Sequence, residues 1–325
     1  MKIGNTNIKN GLFLAPMAGY TDRAMRLVCH NMGAEYSVTE MVSAKAVVFR
    51  DKKTFTLAKI FSDEGPVAIQ IFGSEPSIMA EAAKILSERE ECRDAVAIDI
   101  NMGCPVKKIF SNGDGSALMK NPALIEKITR AVKESTHLPV TVKIRTGIDE
   151  HHINALDCAL AAEAAGADAI CIHGRTTAQM YGGKADKKII EKVKSALQIP
   201  LIANGDITNA EEALAMFSDT GADGIAIGRG AVGNPFIFSE ILSALSGTDY
   251  TKPTLKERVD TALYQLREAI ADKGERVAVT EARGQIALYL KGFSGAARIR
   301  GEINRATTLE EVKSSLCSAL TDSEN

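Results

Sequence analysis

Short apolar runs alternating with amphipathic stretches constrain this chain more than any single residue does. Eight runs stand out: "GLFLAP" (11–16), "EYSVTE" (35–40), "VAIQIF" (67–72), "AVAIDI" (95–100), "VTVKIR" (140–145), "AICIHG" (169–174), "PLIANG" (200–205) and "GIAIGR" (224–229). Most are nearly continuous in apolar residues, as parallel strands covered on both faces require. Between them, 75–89, 121–135, 151–165, 186–197 and 209–218 carry helical periodicity. Several of these open on a capping residue or a proline: Ser74-Glu75-Pro76, Asn121-Pro122 and Thr208-Asn209. Eight strand–helix units in about 240 residues are what an α/β fold of the (β/α)8 TIM-barrel type needs. A doubly wound sheet is the alternative, but no Gly-rich switch-point turn follows the first strand. "AGADAICIHGR" (165–175) and "TGADGIAIGRG" (220–230) echo each other, which suits repeated units.

The pattern changes after about residue 245. "SALSGTDY" reads as a linker, no strand follows, and 254–273, 276–291, 294–304 and 308–320 read as helices. The division expected is a barrel over 1–245 and a small helical domain over 246–325. Within 276–305 six basic residues (Arg276, Arg283, Lys291, Arg298, Arg300, Arg305) face two acidic ones (Glu281, Glu302), a net +4 on a chain whose total is −2. A local positive excess on an otherwise acidic protein hints at a phosphate-rich partner bound there.

The six cysteines form no C-x-x-C pair, which excludes zinc-ribbon and thioredoxin readings and points to no metal site. Scattered thiols suit a reduced, cytoplasmic protein, and neither a leader-type apolar segment at the start nor a run of membrane-span length is present.

Barrels of this kind build their active sites at the C-terminal ends of the strands. Those ends carry Pro16, Met17 and Ala18; Glu40; Gln70; Asn101 and Cys104; Lys143 and Arg145; His173 and Arg175; Asn204, Gly205 and Asp206; and Gly228 and Arg229. Packing alone rarely puts so many polar or special residues on one rim. The glycines of "ANGDI" and "AIGRG" follow strands 7 and 8, the usual phosphate loops of this fold, and Arg229 can add a forked contact. Lys143 interrupts an apolar strand, so it must reach the mouth to stay hydrated, where it can offset an anion such as a reduced flavin. Cys104, between Gly103 and Pro105 in a turn, can be structural, a ligand, a redox partner or a proton donor.

These residues resemble the tRNA-dihydrouridine synthases, most closely their bacterial B-type branch. The resemblance rests on "LAPMAGYTDRAMR" (14–26), "TEMVSAKA" (39–46), "IQIFGSEP" (69–76), "DINMGCPVKKI" (99–109), "GSALM" (115–119), "VTVKIRTG" (140–147), "IHGRTTAQMYGGKAD" (172–186), "IPLIANGDI" (199–207), "GADGIAIGRGAVGNPFIF" (221–238) and "YLKGFSGAARIRGEIN" (289–304). It implies FMN-dependent, NADPH-driven reduction of particular uridines in tRNA. It assigns Pro16, Met17, Ala18, Gln70, Lys143, His173, Asn204, Gly205, Asp206, Gly228 and Arg229 to the FMN site, and makes Cys104 the proton donor to uridine C5. Asn101 and Arg175 fall on the substrate side, and Lys107, Lys108, Lys291, Arg298 and Arg300 are the expected tRNA contacts. The partners implied are tRNA and NADPH, with no metal or membrane, and the expected unit is a monomer. The rivals are another FMN barrel acting on a free pyrimidine, such as dihydroorotate dehydrogenase, a barrel without redox chemistry, and a non-catalytic tRNA-binding protein. The N-M-G-C-P loop and the helical C-terminal region speak against the first.

Overall fold

A computed structural model describes residues 1–293 and 295–324. Its eight barrel strands are β1 (Leu12–Leu14), β2 (Tyr36–Val38), β3 (Val67–Phe72), β4 (Ala95–Asn101), β5 (Val140–Arg145), β6 (Ala169–His173), β7 (Leu201–Asn204) and β8 (Gly224–Ile227). All pair in parallel in chain order, and β8 returns to β1 with Ile227 opposite Leu14, which closes the barrel. Each expected strand is present, shorter at its ends where polar rim residues leave the ladder.

Helices alternate with the strands: α1 (Arg23–Asn31), α2 (Ala44–Val48), α3 (Lys52–Ala58), α4 (Pro76–Glu88), α5 (Lys107–Ser111), α6 (Pro122–Ser135), α7 (Ala155–Ala164), α8 (Lys187–Lys194), α9 (Ala210–Thr220) and α10 (Ile237–Ser246). Asn121 and Asn209 cap α6 and α9 as expected, accepting from Leu124 N at 3.2 Å and Glu212 N at 2.8 Å. Ser74 does not cap α4; that helix starts on Pro76 without a side-chain cap. Two features went unforeseen in the sequence. A two-stranded hairpin (Lys2–Ile3 with Thr6–Asn7) buries Ile3 and Ile8 against the barrel interior, and β2 is followed by two short helices rather than one long one.

The apolar residues form two layers. Alternate strand positions point inward, where Phe13 and Tyr36 fill space left by Ala68, Ala97, Ala169 and Ala226. The other positions, such as Leu14, Ile69, Ile100, Val142, Ile172 and Ile225, pack outward against the helices. This explains the unbroken apolar runs: both strand faces are buried.

The repeated G-A-D has a structural cause. Asp168 accepts the first N–H of β5, from Val140 at 2.7 Å, and pairs with Lys133 at the end of α6. Asp223 does the same for β7, accepting from Leu201 N at 2.8 Å and pairing with Lys194 at the end of α8. In both echoes a carboxylate clamps the start of a neighbouring strand to the end of the helix before it.

Four further helices, α11 (Leu255–Lys273), α12 (Glu275–Leu288), α13 (Ala296–Ile303) and α14 (Leu309–Glu324), follow the linker and surround an apolar cluster of their own. Ser294, within the expected 294–304 helix, lies outside the described residues. The cluster takes in Phe236 and Met32 of the barrel region, so the two regions share buried surface. Lys273 pairs with Asp22 at 2.7 Å, Arg23 pairs with Glu268 at 2.7 Å, and Gln285 donates to Gly19 O at 3.3 Å. All three contacts reach the loop after β1 or the start of α1, so the helices dock beside one side of the strand-end rim.

Candidate active site

Cys104 is half-buried in the turn after β4, and its peptide is held on both sides. Asn101 Oδ1 accepts the N–H of Cys104 at 2.9 Å and that of Gly103 at 3.1 Å. The Cys104 carbonyl accepts from Ser116 Oγ at 2.8 Å and Ser116 N at 3.1 Å. Gly115, at φ +60, lies so close that a Cβ there would stand 2.9 Å from Cys104 O. Burial pushes the thiol up from its ordinary range, while the Val106 N–H, Arg145 and Lys143 draw it partly back. The thiol therefore stays protonated at neutral pH.

A group of cations surrounds that turn. Lys143, on β5 opposite Asn101, donates to Asn204 Oδ1 at 3.1 Å, and the Asn204 amide donates to Ala226 O at 2.6 Å. Asn204 thus fixes the lysine across the mouth as well as lining it. Arg145 is 3% exposed and has no carboxylate partner among the described residues. It donates to three carbonyls, Gly103 O at 2.8 Å, Thr176 O at 2.8 Å and Met180 O at 2.9 Å, and burial lowers it to about 10. His173 lies opposite both Arg145 and Asn204 in the ladder. Burial, then Lys143, Arg145, Arg175 and Arg229, push it down to about 2, so it is a neutral imidazole at physiological pH.

Beyond His173 the loops after β7 and β8 meet. The backbone N–H groups of Gly205, Asp206, Gly228, Arg229 and Gly230 have no acceptor among the described residues. Gly205 is buried and Gly228 and Gly230 are half-buried, and N–H groups without partners in such places mark where an anion or polar ligand belongs. Side chains are excluded there: a Cβ on Gly230 would stand 2.1 Å from Ile207 O, and Gly205 has φ +134 with Ala185 Cβ 2.7 Å from the site of its own. Arg229 is exposed and stacks its guanidinium 5.1 Å over the Tyr181 ring.

Pro16 and Met17 are half-buried and Ala18 is exposed in the loop after β1, where Thr21 Oγ1 accepts from Met17 N at 3.0 Å. A Cβ on Gly228 would touch Met17 Sδ at 3.4 Å, so this loop and the β8 loop form one wall. Gln70 is buried on β3, bonded to Asp99 and Asn101.

Two of the expected site residues are engaged by the protein itself. Arg175 is 2% exposed, and its donors are spent on Gly182 O, Gly183 O and Asp206 Oδ1 at 2.8, 2.8 and 2.6 Å. It braces the loop that carries Tyr181, while its Nη1 lies 3.4 Å from His173 Nε2. The Asp206 carboxylate is likewise taken by Arg175 and by Ala185 N at 2.8 Å, so only its backbone N–H faces the open end. Lys107 and Lys108 are exposed at the start of α5, directly after the Cys104 turn. Lys291 and Arg298 are exposed and Arg300 half-buried on the helical region, with Arg298 paired to Glu302. Nothing local in the sequence singles out Ser116, Asp99 or Tyr181; Ser116 and Tyr181 act through contacts across loops, and Asp99 through bonds to the two neighbouring strands.

A family model for dihydrouridine synthase (Dus) matches residues 13–325. The chain belongs to the dihydrouridine synthase family. It is therefore an enzyme, an oxidoreductase on a barrel. A "Probable tRNA-dihydrouridine synthase" of Rickettsia conorii is 40% identical over 306 residues, 94% of this chain and 91% of that one. "tRNA-dihydrouridine synthase B" of Pseudomonas putida is 41% identical, covering 94% and 89% of the two chains, and that of Vibrio cholerae is 40% identical over 96% of each. Among solved structures, an old yellow enzyme homologue from Zymomonas mobilis shares the fold at TM-score 0.54 and 12% identity, over 79% of this chain and 94% of that one. The family's matched segment takes in every rim residue described above from Leu14 onward, and the helical region with it.

Proposed function

We propose that this member of the family reduces uridines in tRNA to 5,6-dihydrouridine, with FMN at the barrel mouth, NADPH as reductant and Cys104 as the acid. The observation that carries the reading is the Cys104 turn. It offers a protonated, partly shielded thiol on the same rim as a cation-lined mouth and a cluster of unengaged N–H groups.

The residues present fit FMN. The free N–H groups of the β7 and β8 loops, with Arg229, suit its phosphate; Pro16 and Lys143 line a common cavity in the barrel, and we assign Met17, Ala18 and Gln70 to the same site. Bound there, FMN supplies the hydride that uridine C6 receives. The chain's own residues do the rest. Lys143, held by Asn204, offsets negative charge at the mouth. Asn101 and neutral His173 are polar groups able to meet the edges of a base. Cys104 Sγ gives its proton to C5, so the double bond gains a hydride and a proton, and the thiolate left behind recovers a proton from solvent. Arg145 and Lys143 lie near enough to favour that thiolate.

A uridine must leave the fold of its tRNA to reach such a mouth. The net +4 segment of the helical region, with Lys291, Arg298 and Arg300, and the exposed Lys107 and Lys108 beside Cys104 are the surfaces we assign to the tRNA backbone. Every residue named belongs to one chain, and we take a monomer working in the cytoplasm as the functional unit. Purified protein should be yellow, and with NADPH it should convert uridines in tRNA from a strain lacking this gene. A colourless protein that retains no added FMN would refute the reading.

A further inference from the structure

Behind Cys104 runs a row of buried hydrogen bonds across three strands. Thr141 on β5 donates its hydroxyl to Asp99 Oδ1, and Gln70 Nε2 on β3 donates to Asp99 Oδ2 at 2.7 Å. Asn101 Nδ2 donates to Gln70 Oε1 at 2.9 Å, and Asn101 Oδ1 takes the N–H groups of Gly103 and Cys104. The ladder puts these side chains side by side, since Gln70 pairs with Asp99 and Asp99 with Thr141. Asp99 itself is 3% exposed, lines the barrel cavity with Pro16, Thr141 and Lys143, and makes no hydrogen bond to Cys104.

Each amide in the row has one donating and one accepting end, and both ends are used. The row closes only because it ends on a group able to accept from Gln70. Were Gln70 reversed, its oxygen would face the Asp99 carboxylate and its NH2 that of Asn101; were Asn101 reversed, its NH2 would face two backbone N–H groups, and either way buried donors go unmatched. We propose that Asp99 is a positioning residue for Cys104: it terminates the Gln70–Asn101 row and so keeps the 101–104 turn in the shape that presents the thiol. The consequence for turnover rests on the reading of Cys104 as the acid; the effect on the turn does not.

The test reads the thiol directly in the full-length protein. Alkylation of Cys104 by iodoacetamide is followed across pH by mass spectrometry of the peptide that contains it. Asp99→Ala leaves Gln70 without its acceptor. The alkylation rate at Cys104 should then rise by about tenfold, the size expected from one lost buried hydrogen-bond partner, and its pH midpoint should move down toward that of an ordinary thiol. Asp99→Asn should stay near wild type, because its oxygen still serves Gln70 while the Thr141 hydroxyl turns to accept its NH2. In an Asn101→Ala background, where the row is already cut, Asp99→Ala should add little. If Asp99→Ala does not fold, Gln70→Met severs the same row without touching the carboxylate and should give the same rise. An unchanged rate and midpoint in the variant that folds, or full additivity with Asn101→Ala, would overturn the proposal. A raised alkylation rate with wild-type dihydrouridine formation would uphold the positioning role and instead fault the role of Cys104 in turnover.

Discussion

Arg145 donates from Nε to the carbonyl of Gly103 at 2.8 Å, so a buried guanidinium stands directly behind the residue that precedes Cys104. The same cation draws the Cys104 thiol down while burial drives it up, and burial prevails. A proton donor works below its own pKa. Chemistry measured in a single turnover with pre-reduced enzyme should therefore be flat through neutral pH and fall only above the ordinary thiol range. In Arg145→Met, with the thiolate-favouring cation gone, that alkaline limb should lie higher still. A limb at or below the usual thiol value would contradict the assignment.

His173 should contribute no limb. Burial and four cations hold it neutral, pushed down to about 2. Its ring resonances should not titrate across about pH 5 to 8, where histidines ordinarily do. An NMR titration that finds a midpoint in that range would show the cation cluster to be arranged otherwise.

The β7 and β8 loops make a graded prediction for FMN. Arg229→Ala removes one exposed, charge-assisted contact and should weaken flavin retention by about tenfold, or ~1.4 kcal/mol. Gly230→Ala should do more, because its Cβ would stand 2.1 Å from Ile207 O and the backbone that offers the N–H groups must move. Flavin content after dialysis orders the two variants; an FMN affinity unchanged in Gly230→Ala would place the phosphate elsewhere.

Cutting the chain at residue 250 tests how separable the helices are. They cover Phe236 and Met32 and supply the partners of Asp22 and Arg23. The truncated barrel should therefore aggregate or lose FMN through the loop after β1, instead of surviving as a flavin-binding core that merely lacks tRNA affinity. A soluble, yellow 1–249 fragment would show that the shared surface matters little.

Much of this molecule could be read from the chain alone, for physical reasons. Parallel strands buried on both faces announce themselves as apolar runs, and the polar residues that break those runs, Gln70, Lys143, His173 and Asn204, are bonded to one another's neighbours across the strands. Asn121 and Asn209 signalled their helices because capping is local. What stayed hidden depends on distant partners. Nothing in "IHGRTTAQ" reveals that the Arg175 guanidinium closes on Gly182, Gly183 and Asp206. Asp99 sat unnoticed inside an apolar strand for the same reason: its value lies in Gln70 and Thr141, on two other strands. Even the G-A-D echo, visible as text, needed the Val140 and Leu201 contacts to acquire a cause.

The central claim is that Cys104 delivers the proton to uridine. Cys104→Ala should keep its FMN and its tRNA affinity, since the thiol supports neither. The decisive measurement is single-turnover formation of dihydrouridine by this variant with its flavin already reduced, read by mass spectrometry as uridines heavier by two hydrogens. We expect a rate about 10²–10⁴-fold below wild type, the span ordinarily lost with a general acid. A wild-type rate in the flavin-loaded variant would contradict the account.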